Sequence, residues 1–420
     1  MSNKDKAPLL PKLRFPQFRG CEEWQLAPLN QLATRTKQKN RDEKITRVLT
    51  NSAEFGVLDQ RDFFDKDIAT QGNLESYFVV EQGSYVYNPR ISVTAPVGPI
   101  SKNKIGTGVM SPLYTVFKFK DQNNEFYEQY FKTAGWHAYM RQASSTGARH
   151  DRMAISSDDF MAMPLPVSTP TEQQKIADCL SSLDELIAAQ ARKVDALKIH
   201  KKGLMQRLFP REGETQPRLR FPEFRDAGGW EDQSIGNIGK VVTGSTPSTA
   251  QPAFYGGGIP FVSPADISDM RFVDQTKTTL TQEGYAQTRP IRAGSVLFVC
   301  IGSTIGKVAQ NIRDCATNQQ INAIIPNSKH SEGFVYFALS LASERIALLA
   351  GRQAVPIINK SLFSSVRILV PKLPEQHRIA SFLSSIETLI TDENQSLEVL
   401  KAHKKGLMQQ IFPSLENVSA

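Results

Sequence analysis

Residues Glu172–Pro210 read EQQKIADCLSSLDELIAAQARKVDALKIHKKGLMQRLFP, and Glu375–Pro413 read EQHRIASFLSSIETLITDENQSLEVLKAHKKGLMQQIFP. The two stretches stand at a constant offset of 203 and agree at 20 of 39 positions. Apolar residues recur in alternating steps of four and three. In the first copy they are Ile176, Leu180, Leu183, Ile187, Val194, Leu197, Leu204 and Leu208; in the second, Ile379, Leu383, Ile386, Ile390, Leu397, Leu400, Leu407 and Ile411. This is a 3.5-residue period sustained over about five heptads, the pattern of a coiled-coil seam. Two seam positions are polar in both copies, Gln190 with Glu393 and Lys201 with Lys404; polar seam residues cost stability but fix register and partner. Thr171–Gln174 fits a capping box, Pro374 suits a first helical position, and Pro210 and Pro413 end the two runs.

Each helix is expected to be roughly 55 Å long. The simplest burial of both stripes is against each other, and a duplicated chain makes that pairing antiparallel, with a globular module at either end. A second signature opens each half at an offset of 206: Leu13-Arg14-Phe15-Pro16 with Phe18 and Trp24, then Leu219-Arg220-Phe221-Pro222 with Phe224 and Trp230. Repeats decide architecture before other features do. The expected fold is α+β: two β-rich modules in pseudo-twofold arrangement, separated by two long antiparallel helices. The expected boundaries are 1–170 for the first module, 171–210 for the first spacer helix, 211–373 for the second module and 374–420 for the distal helix and tail.

The modules between the signatures share little sequence. Runs at Tyr77–Val80, Ser84–Tyr87, Tyr114–Phe119, Ser295–Cys300 and Ile321–Ile325 read as strands, with helices near 125–142 and 333–349. Gly256–Gly258 reads as a flexible loop. Composition adds a weak constraint. A net charge of +8 favours a polyanionic partner. No run reaches the roughly 18 apolar residues of a membrane span, and the start lacks a signal-peptide core. Four cysteines without metal or disulfide spacing point to a reduced, cytoplasmic protein with no metal site.

Polar loop residues in both modules are of the types that read DNA, where Arg and Lys suit guanine and Asn and Gln suit adenine. In the first module the candidates are Arg35, Lys37, Lys39, Asn40 and Arg41, then Lys102, Asn103 and Lys104, then Arg149 and Arg152. In the second they are Ser245 and Thr246, then Ser303, Thr304 and Lys307, then Asn318, Gln319, Gln320 and Asn322, and finally Arg352, Gln353, Asn359 and Lys360. Catalytic motifs fail by contrast. Ser111-Pro112-Leu113-Tyr114 lacks the second proline of an amino-methyltransferase tetrapeptide and reads as a turn into a strand. Gly302–Lys307 is one residue short of a phosphate-binding loop, and Val308 stands where Ser or Thr would hold magnesium. No residue is assigned a catalytic role.

The paired openings, the Glu-Gln helix starts and the Lys-Lys-Gly-Leu-Met-Gln…Phe-Pro ends together resemble the specificity subunit of type I restriction–modification enzymes, over essentially the full length. The resemblance implies that each module reads one half of a bipartite, asymmetric double-stranded DNA target, and that the helices set the gap between the halves. It also implies docking of two methyltransferase subunits and two motor-nuclease subunits, which would carry S-adenosylmethionine, ATP and magnesium, with no cofactor in this chain. Half-sites about one helical turn apart, roughly 34 Å, face the same side of a duplex. Two other readings compete: a stand-alone DNA adenine methyltransferase using Ser111–Tyr114, and a coiled-coil scaffold that binds proteins.

Overall fold

The computed structural model describes residues 9–63, 74–144, 151–351 and 355–413. The chain divides into two compact units, one of residues 1–190 with 396–420 and the other of residues 191–395.

The first unit begins with β1 (Gln25–Pro28), α1 (Leu29–Leu32) and β2 (Ala33–Arg35). Next come β3 (Leu49–Ser52), β4 (Gly56–Asp59), α2 (Gln60–Phe63), β5 (Phe78–Val80), β6 (Tyr85–Tyr87), β7 (Ile100–Lys102), β8 (Gly108–Met110) and β9 (Thr115–Phe119). Three short helices, α3 (Glu125–Tyr130), α4 (His137–Ala143) and α5 (Ser157–Met161), precede β10 (Pro164–Val167) and the long helix α6 (Pro170–Leu208). The central sheet has the order β2-β9-β6-β7, all antiparallel, and β1 pairs with β10. The expected helix at 125–142 is interrupted around Thr133–Gly135, where Gly135 lies against the Tyr130 ring.

The second unit follows the same plan. It runs β11 (Glu231–Ser234), α7 (Ile235–Ile238), β12 (Gly239–Thr243), β13 (Tyr255–Val262), β14 (Phe272–Val273), β15 (Thr278–Leu280) and α8 (Gln282–Ala286). Then come β16 (Val296–Val299), β17 (Val308–Asn311), β18 (Ala316–Thr317), β19 (Ile321–Pro326), α9 (Glu332–Ala347), α10 (Lys360–Ser365), β20 (Arg367–Val370) and the long helix α11 (Leu373–Ile411). Its sheet order, β12-β19-β16-β17-β14, repeats that of the first unit with one strand added, and β11 pairs with β20 as β1 does with β10. Strand β16 is buried along its whole length: Val296 and Phe298 face the helical layer, while Leu297 and Val299 face the layer of β13. Successive side chains point to opposite faces, so a strand covered on both sides must be apolar throughout.

Inside each unit the start of one long helix packs on the end of the other. Ile176 and Leu180 share a core with Leu407, Met408 and Ile411; Ile379 and Leu383 share one with Leu204, Met205 and Leu208. The helices are therefore antiparallel, each 39 residues long. Val194 and Leu397 are buried too, while Leu183, Ile187, Leu197, Ile386, Ile390 and Leu400 are half-buried. The matched lysines are explained by ion pairs: Lys404 meets Asp184 at 2.5 Å, and Lys201 meets Glu387 at 2.5 Å. Asp184 and Glu387 stand at the same offset of 203, so the pairing is itself duplicated. Glu393 is held by Lys193 at 2.6 Å.

Three expectations are corrected. The first long helix begins at Pro170, and its cap is Thr169, whose Oγ1 accepts the Glu172 amide; Thr171 lies inside the first turn. Gly256–Gly258 belongs to β13, where a bulge shifts the register between Tyr255 and Ile259. A side chain at Gly257 would stand 2.4 Å from the Leu280 carbonyl, so the close strand approach requires glycine. Finally, Glu332–Ala350 is long and apolar enough to cross a membrane by length and composition. Phe334, Val335, Phe337, Leu339 and Ile346 of that stretch are buried in the core of the second unit, the packing of a core helix.

Candidate nucleic-acid interface

The duplicated opening motif works as a clamp. In the first unit Arg14 grips Glu172, Nε to Oε1 at 2.7 Å and Nη2 to Oε2 at 2.8 Å, and it also donates to the carbonyls of Cys21 and Glu22. Trp24 Nε1 donates to the same carboxylate at 3.1 Å. In the second unit Arg220 grips Glu375 at 2.8 Å through both nitrogens and donates to the carbonyls of Ala227 and Gly228. Two-point guanidinium–carboxylate pairing fixes orientation as well as distance. Hydrogen bonding to the carboxylate holds both arginines above their ordinary pKa, against the opposing effect of burial. The opening segment also caps the end of the other helix: the Leu13 amide donates to Gln410 and the Leu219 amide to Arg207.

With the frame fixed, strand ends decide which loops meet. In the second unit β12 ends at Thr243 opposite Asn322, β16 ends at Val299 opposite Ile321, and β17 begins at Val308 opposite Phe298. Residues 244–246, 300–307 and 318–320 are thus gathered at one end of the sheet. Residues 355–359 join them, since the Gly302 amide donates to Pro356 and the Ile358 amide to Cys300. Ser245, Thr246, Ser303, Thr304, Lys307, Asn318, Gln319, Gln320 and Asn359 all fall in this cluster, with Lys360 next to it. Gly302–Lys307 is the turn from β16 into β17; no helix follows it, so it lacks the geometry of a phosphate-binding loop.

The cluster is unequal in what it leaves free. Asn322 is buried, accepts from Thr243 Oγ1 and donates to Cys300 Sγ at 3.1 Å, so it braces the site from below. Burial pushes the Cys300 thiol up to about 12, which keeps it protonated. Asn359 caps α10, and Lys307 donates to the Ile267 carbonyl. Thr246 bonds Gln319, while Ser303 and Lys360 are exposed. Arg352 and Gln353 lie outside the described residues.

The matching end of the first unit carries cations instead. Arg35 closes β2 and donates to Ser157 Oγ. The loop beyond it exposes Lys37, Lys39 and Arg41, none of which has an ion-pair partner among the described residues. Asn40 is buried and braces this loop through the Ile45 backbone. Arg152 pairs main chain to main chain, in an isolated antiparallel β-bridge, with exposed Arg90, a residue that sequence reasoning missed. The Nε atoms of Arg35 and Arg152 are buried without a hydrogen-bond partner among the described residues, and Arg152 Nε lies 3.6 Å from the Asp151 carboxylate. Arg149 lies outside the described residues. Lys102, Asn103 and Lys104 sit at the far end of the sheet, each bonded to other parts of the chain, Lys104 at the surface. Lys102 pairs with Glu125 at 2.6 Å and Lys104 with Glu128 at 2.6 Å, while buried Asn103 donates to Val80, Glu81 and Gly106. Ser111–Tyr114 forms a turn into β9, the Tyr114 amide donating to Ser111 and its hydroxyl bonding Thr50.

Residues 227–402 match the sequence family of the type I restriction modification DNA specificity domain. The match spans less than half of the chain and lies largely in its second unit. Among known proteins, it is 34% identical over 148 residues to the type I restriction enzyme HindI specificity subunit of Haemophilus influenzae, covering 34% of this chain and 32% of that protein. It is 29% identical over 263 residues to the EcoR124I/EcoR124II specificity subunit of Escherichia coli, covering 59% of this chain and 61% of that one. The chain thus matches between about a third and three fifths of these curated relatives' lengths. The fold is shared over more of the chain. The S subunit of a type I restriction-modification system from M. genitalium aligns with 96% of this chain and 99% of its own, at 13% identity and a TM-score of 0.57. A chain from a structural study of the assembly of the type I R-M system aligns with 93% and 96%, at 17% identity and a TM-score of 0.57. Among the described residues, no three His, Cys, Asp or Glu side chains form a group able to hold a metal ion.

Proposed function

We propose that the chain is the DNA-recognition component of a type I restriction–modification assembly. Each unit presents one end of its central sheet to one half of a bipartite target. The observation that carries this reading is the contrast between frame and strand ends. The two units share motifs, sheet order and helix pairing, yet the matching ends carry mainly arginines and lysines in one and mainly amides and hydroxyls, with Lys307 and Lys360, in the other. Lys37, Lys39 and Arg41 supply phosphate contacts, which give affinity and its salt dependence, while base-edge contacts give selectivity. The paired helices act as the spacer between half-sites.

Catalysis belongs to partners in this reading: two modification subunits that methylate adenine with S-adenosylmethionine, and two motor-nuclease subunits that use ATP and magnesium. Duplicated outward residues on the long helices fit two copies of one partner. Leu186 and Leu389 are 53% and 43% exposed at equivalent positions, and His200 with His403 and Lys202 with Lys405 are exposed as well.

The test is methylation-sensitive sequencing of a genome that expresses this chain with its modification subunit. A bipartite motif is expected. Transplanting residues 232–373 from a relative is expected to change one half only, and inserting four residues after Gln190 is expected to lengthen the gap. A change in both halves, or an unchanged gap, refutes the reading.

A further inference from the structure

Within the strand-end cluster of the second unit, one side chain has its hydrogen-bonding sense fixed by its neighbours. The Gln320 backbone amide donates to Asn318 Oδ1 at 3.1 Å. A backbone N–H can only donate, so the acceptor on Asn318 must be its oxygen, and the other terminal atom must be the NH2 group. That Nδ2 donates in turn to Gln320 Oε1 at 2.9 Å. The assignment carries through the pair: Gln320 has its oxygen turned to Asn318, and its Nε2 has no partner among the described residues. Gln319 lacks this certainty, because the Thr246 hydroxyl that bonds it at 2.7 Å can donate or accept.

The main chain beneath Gln320 is pinned as well. The Asn318 amide donates to Val262, the Ile321 amide to Asn318 and the Cys300 amide to Gln320. Nε2 lies beside Gly302, where a Cβ would stand 3.5 Å away on a backbone with φ of +96°. Gly302 is one of the few residue types that accept this conformation, and it leaves the amide room.

We propose that Gln320 is a specificity-determining residue of the second half-site and that it reads guanine. The inference rests on the DNA-recognition reading above. Two-point pairing of glutamine with adenine needs the amide oxygen and nitrogen directed together at one base edge. Here the oxygen is turned to Asn318, from which it accepts, and the group left without a partner among the described residues is the Nε2 donor. Guanine offers only acceptors on its major-groove edge, N7 and O6. Asn318 is the positioning residue that sets this sense.

The experiment uses the full chain with its modification subunit. The second half-site is identified as the half that changes when residues 232–373 are transplanted. Gln320→Glu keeps the oxygen that Asn318 holds and replaces the donor with an acceptor. Methylation-sensitive sequencing is expected to show one guanine of that half switching to cytosine, whose N4 amino group donates, with the first half unchanged. In parallel, 7-deazaguanine at the same position is expected to weaken wild-type binding about tenfold, the cost of one lost hydrogen bond, and to leave binding by Gln320→Ala unaltered. The proposal is overturned if the Glu variant keeps the wild-type motif, if the altered base is an adenine, or if wild-type binding ignores 7-deazaguanine at every guanine of that half. Failure of the parent reading looks different: no bipartite motif at all, or a Gln320 variant that alters the first half.

Discussion

Replacing Glu172 with alanine tests the clamp that fixes the opening segment to its helix. The side chains of Arg14 and Glu172 are 8% and 1% exposed, so the substitution strands a guanidinium that water barely reaches. Breaking a buried ion pair from one side costs about 3–5 kcal/mol. Trp24 Nε1 loses its acceptor at the same time, adding about 1 kcal/mol. The expected loss is therefore about 4–6 kcal/mol from the stability of the first unit, measured by urea titration with tryptophan fluorescence. Glu375→Ala strands Arg220 similarly, but Trp230 Nε1 has no hydrogen-bond partner among the described residues; its expected cost is lower by the indole contribution, at about 3–5 kcal/mol. The double variant Arg14→Met with Glu172→Met removes both charges and is expected to recover most of the loss, because apolar replacement of a buried pair is often neutral. A Glu172→Ala cost below about 1 kcal/mol, the level of a surface ion pair, or a double variant no more stable than the single, refutes this account of the clamp.

Leu180→Ala and Leu383→Ala remove fully buried seam side chains; each is expected to cost about 2–5 kcal/mol in the same titration, whereas Leu186→Ala on the exposed face is expected to cost less than 1 kcal/mol. Asp184 is pushed up by burial, but the Lys404 hydrogen bond together with Lys132 and Gln129 brings its pKa below the ordinary value of 3.8. Its stabilising contribution is therefore complete above that ordinary value and is lost as pH falls through the lower folded value, so the stability gap between wild type and Asp184→Asn is expected to be constant near neutrality and to close in acid; a gap that widens on acidification refutes the sign. Thiol labelling under native conditions is expected to modify exposed Cys21 rapidly and to spare Cys300 and Cys315, whose burial holds both near 12; equal labelling of all three by mass spectrometry counts against the described packing.

The seam was legible because periodicity is a local property: Ile176 through Leu208 and Ile379 through Ile411 announce their buried face residue by residue. The matched lysines were visible as interruptions, but their partners were not. Asp184 and Glu387 lie one position beyond Leu183 and Ile386, and only the antiparallel register brings them to Lys404 and Lys201. The clamp was hidden for a similar reason, since Arg14 and Glu172 are 158 positions apart. At the candidate site, polar residue type pointed to the right strand ends but could not separate bracing groups from free ones. Asn103 and Asn322 read like DNA-contacting amides, yet both are buried and hydrogen-bonded inside the fold; Arg90 sat in a run with no other signal. The common sheet order of the modules escaped notice because strand burial demands apolarity and leaves identity open, as Val296–Val299 and Tyr85–Tyr87 illustrate.

The division of labour follows from where hydrogen-bonding capacity is spent. In the frame, duplicated charged groups close on each other: Arg14 on Glu172, Arg220 on Glu375, Lys404 on Asp184 and Lys201 on Glu387. Such pairs need defined geometry at both ends, so a change at one position strands its partner, and the frame can vary only in concert. The strand ends obey the opposite rule. A bracing layer, Asn322 with Thr243 and Cys300 in one unit and Asn40 with Ile45 in the other, underlies these ends, while Lys37, Arg41 and Gln320 Nε2 have no partner among the described residues. Altering Lys37 or Arg41 breaks no bond among the described residues, and Gln320→Glu keeps the oxygen that Asn318 holds, so the donor pattern offered at a sheet end can be rewritten at little cost in stability. A fold built this way can change what it reads one side chain at a time while its frame stays the same.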